Sequence, residues 1–189
     1  SSRGEYPIAA AIVNEYLEGL CGRKLPVAAF VSLSTYRFDG LIREGRIDEA
    51  EDVASVCIEK ADRENSPFPA GIARNLLAQA LKARGQTADA LKLYTQAAAR
   101  FAVAGDCVWT ARVHLNRAAL LNRVGRLPEA HAAYEEAYRR NRELSRAASI
   151  MRSRLGLGMV STRQGNLTTA RRHLLQGWLE ARRLKTPRE

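Results

Sequence analysis

The octapeptide Arg123-Val124-Gly125-Arg126-Leu127-Pro128-Glu129-Ala130 has three counterparts in the chain. They are Arg43-Glu44-Gly45-Arg46-Ile47-Asp48-Glu49-Ala50, Ala83-Arg84-Gly85-Gln86-Thr87-Ala88-Asp89-Ala90 and Arg163-Gln164-Gly165-Asn166-Leu167-Thr168-Thr169-Ala170. The four glycines stand 40 residues apart, and an alanine follows each of them five residues later. Glycine makes up roughly 7% of an average sequence, so three further glycines at one preset spacing arise by chance with probability on the order of 0.0003. A period in this range is the signature of a repeat array.

The flanking side chains supply the physical reason for the period. Four residues before each glycine lie Leu41, Leu81, Leu121 and Ser161, and seven before it Phe38, Ala78, Ala118 and Gly158, which is one face of a helix. Nine residues after it come Ala54, Tyr94, Tyr134 and Leu174, and twelve after it the small residues Cys57, Ala97, Ala137 and Gly177. A second helix with an apolar stripe follows. The glycine allows the left-handed turn that closes the first helix, and Pro128 suits the first turn of the next because a missing N–H is no loss there. Small residues at the crossing let the two backbones approach closely. Gly156-Leu157-Gly158 is read the same way, as helix packing, since no strand precedes it as a dinucleotide turn would require.

This pattern resembles the tetratricopeptide repeat family: a small residue late in helix A, glycine at the turn, alanine early in helix B, an aromatic residue four later and alanine three beyond. The third repeat carries it through Ala118, Leu121, Gly125, Ala130, Tyr134 and Ala137, and the second through Leu77, Ala78, Leu81, Gly85, Ala90, Tyr94 and Ala97. The first and fourth depart from it, with Phe38 and Ala54 in one and Ser161, Leu174 and Gly177 in the other. The family's Trp or Tyr in helix A is replaced by Ser34, Arg74, His114 and Arg154. A period of 40 exceeds the usual 34, which implies longer helices and resembles the sensor arrays of bacterial signal-transduction regulators. The expected fold is all-α, a right-handed superhelical array of antiparallel helix pairs, with an N-terminal helix and linker over residues 1–27 and about four repeats over 28–189. The N-terminal helix, residues 6–20, reads as a half-repeat. The expected loop between the first two repeats is Asn65-Ser66-Pro67-Phe68-Pro69, and Thr186-Pro187-Arg188-Glu189 resembles the start of a further helix.

Composition excludes several function classes. With 46% hydrophobic and 26% charged residues the chain is neither disordered nor fibrous, and it has no apolar run long enough to span a membrane. Cys21, Cys57 and Cys107 form an odd set without a CxxC pair, and residues 1–7 lack a secretory pattern, so a reduced, cytoplasmic setting is expected. His114, His131 and His173 make no metal-ligand spacing and no phosphate loop is present, which points away from an enzyme, a cofactor or a metal. The net charge of +10 is uneven: residues 1–100 hold 13 basic and 13 acidic side chains, residues 101–189 hold 17 and 7. Such a field steers nucleic acid or an anionic partner.

The resemblance implies a non-catalytic module that binds a peptide or protein, or another domain of its parent chain, in a concave groove lined by A helices. Projected onto this sequence, the groove takes Thr35, Asp39 and Arg43 from the first repeat and Asn75, Gln79 and Lys82 from the second. The third supplies Arg112, Asn116, Ala119 and Arg123, and the fourth Arg152, Leu155, Met159 and Arg163. Asn116 is expected to grip a peptide backbone, and Arg112 with Arg152 a carboxylate or phosphate. The expected role is that of a sensor in a bacterial transcriptional or signalling regulator. Nucleic-acid binding by the basic half, including the run Tyr138 to Arg146, and an assembly scaffold are the alternatives. An apolar face of Leu174, Leu175, Trp178 and Leu179 is expected to pair with something, including a second copy.

Overall fold

The structure, a computed structural model, describes residues 25–185, with the side chains of 181, 184 and 185 left aside. The half-repeat expected over residues 6–20 and the segment 186–189 lie outside these residues. Among the described residues all regular structure is helical: α1 (Val27–Glu44), α2 (Ile47–Arg63), α3 (Pro67–Arg84), α4 (Thr87–Val103), α5 (Cys107–Arg123), α6 (Leu127–Glu143), α7 (Ala147–Arg163) and α8 (Leu167–Lys185). The chain divides at Ala104/Gly105 into two compact units, α1–α4 and α5–α8. Within each, consecutive helices pack as antiparallel hairpins, and the two A helices of a unit, α1 with α3 or α5 with α7, also touch.

The turn glycines act as the spacing implies. Gly125 has φ 83°, its N–H donates to Asn122 O, and the next N–H, of Arg126, donates to Leu121 O at 3.0 Å. That pair of bonds caps the orphan carbonyls of α5, and the same pair recurs at Gly45, Gly85 and Gly165. Leu41, Leu121 and Ser161, each four before its glycine, are buried and, like the half-buried Leu81, accept the capping bond.

A second set of left-handed residues lies between the hairpins, at Asn65 (φ 47°), Gly105 (φ 72°) and Ser145 (φ 51°), again forty residues apart. Only one of the three is glycine, so no glycine period marks them in the sequence. They shorten the connection expected at residues 65–69: the turn is over by Ser66, whereas Pro67 and Pro69 lie in the first turn of α3. Prolines are tolerated there because the first N–H groups of a helix have no intrahelical partner.

The core of each unit follows the expected stripes. In unit 1 Phe38, Ala54, Cys57, Ala78, Tyr94, Ala97 and Phe101 are buried. Gly71 lies so close to the Phe101 ring that an added Cβ would stand 2.8 Å from it. In unit 2 Ala118, Leu121, Tyr134, Ala137, Ile150 and Leu157 are buried. Gly156 faces the Tyr134 ring and Gly158 faces Leu174, whose Cγ lies 3.0 Å from an added Cβ, so both glycines serve close helix packing.

Candidate binding surface

In unit 2 the neighbouring helices α5 and α7 carry matched stripes. Helical spacing puts Arg112, Ala119 and Arg123 on one side of α5, and Arg152, Met159 and Arg163 on the same side of α7 forty residues on; all six are exposed. Each stripe reads arginine, apolar, arginine. Its arginines stand eleven positions apart in the sequence, which raises them about 16 Å apart along the helix, and packed helices lie about 8–10 Å apart. Two arginine pairs therefore bracket an apolar centre made by Ala119 and Met159.

Neither α5 nor α7 contains an aspartate or glutamate. The described carboxylates of unit 2 all lie elsewhere. Asp106 caps α5 by accepting the Trp109 N–H at 2.7 Å, Glu129, Glu135, Glu136 and Glu143 belong to α6, and Glu180 to α8. Most are already engaged: Glu129 holds Arg126, and Glu136 and Glu143 hold Arg139 at 2.8 Å. The Arg126 guanidinium holds the Glu129 carboxyl below the usual carboxylate range, as Arg139 and Arg140 do for Glu136. Most of the acidic charge of this unit is thus engaged by arginines of the B helices, and Glu180 also lies 3.7 Å from Arg154 of α7.

The individual arginines differ. The Arg112 guanidinium stacks 4.5 Å over the Trp109 ring, which occupies its face and leaves its donors in plane. Arg152 has no ion-pair partner among the described residues. Arg163 is partly structural, since its Nη1 donates to the backbone oxygen of Asn122 and lies 3.1 Å from Asn122 Oδ1, tying the end of α7 to the end of α5. Arg123 is exposed and already engaged within the fold.

Other expected site residues are placed differently. Asn75 is buried, at 3% exposure, because its position relative to the turn glycine is that of Leu115, which is also buried. Gln79 is half-buried and turns its amide back to Asn75 O at 3.3 Å, and Lys82 is half-buried. Asn116 sits on the edge of the α5 stripe, half-buried and engaged, at the position where α7 has the packed Gly156. Thr35 donates to Val31 O at 2.9 Å, whereas Asp39 and Arg43 are exposed on α1.

One polar cluster was not legible in the sequence. Arg154 stacks 3.9 Å over Tyr138, its Nη1 lies 3.0 Å from His173 Nδ1, and the Tyr138 hydroxyl donates to Glu180 Oε1 at 2.7 Å. Arg74 holds the same repeat position in unit 1 and reaches back to Asp62 with two bonds, of 3.1 and 2.7 Å. An arginine in place of the family's helix-A aromatic thus binds the preceding B helix in both units. Burial, reinforced by Arg154, pushes the His173 imidazole down, and burial does the same to His114. Among the described residues no group of three His, Cys, Asp or Glu is placed to hold a metal, and no helix is long and apolar enough to cross a membrane.

Profiles of the tetratricopeptide repeat match residues 69–143 and 151–176. No curated protein is detectably similar in sequence. Solved structures are similar in fold. BtubC (BKLC) from P. vanneervenii superposes with a TM-score of 0.82 at 18% identity, over 98% of this chain and 78% of that one. A kinesin-light-chain-type protein of Podosopora anserina with nearly identical TPR-like repeats gives 0.74 at 15% identity, over 97% and 90%.

Proposed function

The chain carries tetratricopeptide repeats, a protein-interaction fold, and on that premise we propose that the α5–α7 face of unit 2 holds an extended, anionic segment of a partner protein. The observation that carries this is the pairing of Arg112 with Arg152 and Arg123 with Arg163 on two helices that contain no carboxylate. Planar guanidinium groups bind carboxylate or phosphate with two parallel bonds. Ala119 and Met159 between the pairs supply an apolar contact that a soft thioether adapts to different side chains. The burial of Asn75 and the engagement of Asn116 move the reading from the centre of the array to this arginine frame. We further place the module in the cytoplasm, as the sensor part of a bacterial signalling or transcriptional regulator, a reading supported by its resemblance to long-period sensor arrays and by cysteine usage.

The test is fluorescence anisotropy of labelled peptides bearing Glu or phosphoserine residues, against uncharged twins. Arg152→Glu is expected to weaken the acidic peptides by roughly ten- to a hundredfold, the loss of one charged hydrogen-bonding partner, and to leave the weak uncharged twins unchanged. Equal binding of acidic and uncharged peptides would sink the proposal.

A second reading, sequence-indifferent binding of nucleic-acid phosphates, is favoured by the excess of 17 basic over 7 acidic side chains in residues 101–189. It predicts tight oligonucleotide binding that weakens steeply with salt. Few stacking platforms lie among the arginines, so single-strand preference is not expected.

A further inference from the structure

The C-terminal face of unit 2 repeats the design of an interface inside that unit. Met151 and Leu155 of α7 stand forty residues after Ala111 and Leu115 of α5, and Leu174 and Trp178 of α8 stand forty after Tyr134 and Tyr138 of α6. In the earlier hairpin Ala111, Leu115 and Tyr134 are 0%, 4% and 5% exposed and Tyr138 is half-buried, because α7 packs against α5 and α6 there. In the later hairpin the four equivalents are 48%, 47%, 45% and 51% exposed. The chemistry is that of a helix-packing seam, and no described helix covers it.

The charge around this seam selects the occupant. Helical spacing puts Arg152 along its α7 edge, Arg172 and Arg183 along its outer α8 edge, and Arg171 and Arg182 at its two ends, all exposed. Arg182 itself lies 5.3 Å over the Trp178 ring. The sole carboxylate of α8, Glu180, turns inward and accepts the Tyr138 hydroxyl. Leu175 and Leu179 widen the apolar strip where α6 has the charged Glu135 and Arg139. A second copy would bring the same basic rim against this one, and like charges at a rim oppose association.

We infer that this face binds, in trans, an amphipathic helix of a partner protein with an apolar seam and acidic residues along its edges. The seam fits between α7 and α8 as α7 fits against α5 and α6, with a small residue opposite Leu174 as Gly156 stands opposite Tyr134. Its carboxylates meet Arg152 on one edge and Arg172 and Arg183 on the other.

The experiment uses the whole chain and two designed helical peptides with one Leu/Ala seam, one edged with Glu and its twin with Lys, followed by calorimetry, with the chain alone in sedimentation equilibrium. The Glu peptide is expected to bind at least tenfold tighter than the Lys twin. Leu155→Glu and Trp178→Ala, both at exposed sites that leave the fold intact by circular dichroism, are each expected to weaken it about tenfold. Equal binding of the twins, or no binding of either, overturns the inference. Loss of binding in Arg112→Glu with none in Leu155→Glu would move the peptide to the α5–α7 face and overturn it too. Concentration-dependent dimers abolished by Trp178→Ala would make a second copy the occupant and do the same.

Discussion

Gly156→Ala probes how closely α6 and α7 approach. An alanine Cβ would lie 2.6 Å from Tyr134 Cδ1 and closer still to Cε1 and Cζ, where carbon atoms prefer about 3.5–4.0 Å. The ring has nowhere to go, since Tyr134 is 5% exposed. Either the ring leaves its rotamer or α7 retreats by about 1 Å, and overpacking of this kind costs about 2–3 kcal/mol. Alanine is the better helix former by about 1 kcal/mol, which opposes the loss without cancelling it. The expected net effect is a destabilisation of about 1–2 kcal/mol. Urea unfolding followed by tryptophan fluorescence reports on this unit selectively, because Trp109 and Trp178 are the chain's two tryptophans and both lie in α5–α8. In a Tyr134→Ala background the obstacle is gone, so the same Gly156→Ala change should become stabilising by about 1 kcal/mol, the bare helix propensity. A neutral or stabilising Gly156→Ala in the wild-type background, or no reversal of sign, would refute the packing argument.

Ser145 is held at φ 51°, a conformation costing about 1–2 kcal/mol for a residue with a Cβ, so Ser145→Gly should raise stability by about 0.5–1 kcal/mol after glycine's greater unfolded-state entropy is subtracted; a lower urea midpoint would contradict this. His173 is kept neutral by burial, with Arg154, Arg172 and His131 facing it against Glu135, so its folded pKa lies below its unfolded value near 6.5. The unfolded chain then binds the extra proton first, and the stability this group contributes is present above about pH 6.5 and is lost as pH falls from there towards the folded pKa. Urea midpoints at pH 7.5 and 5 should differ, less so in His173→Gln, with a residual slope from His114, which burial shifts the same way. Tyr138→Phe removes the donor to Glu180 and is expected to cost about 1 kcal/mol in this part-buried setting, read from the same urea curves; an unchanged midpoint would make that bond ornamental.

What the sequence determined alone is whatever a short window encodes and a fixed period repeats. Glycine at 45, 85, 125 and 165 and the small residues twelve after it mark each hairpin, and apolar residues four and seven before it mark the first three, because turn chemistry and helical spacing are local. Of the second set of turns only the loop at residues 65–69 was expected, because Asn65 and Ser145 adopt a glycine-like φ that only the packed helices on either side enforce. The arginine pairing of α5 and α7 was half legible: Arg112 and Arg152 share a register in the sequence, but the separation of the carboxylates onto α6 and α8 emerges only when the helices are assembled. Tertiary structure decided which side chains are open. Asn75 and Met159 were projected onto the same face, yet one is buried and the other half exposed, since burial depends on neighbours dozens of residues away. The same holds for the Tyr138–Glu180 bond, whose partners are 42 residues apart, and for Leu155, which no described helix covers although its repeat equivalent Leu115 is closed by α7. A side chain's type and its place on a helix are set by the chain itself; what covers it is set by the packing of other helices, and sequence spacing carries no record of that.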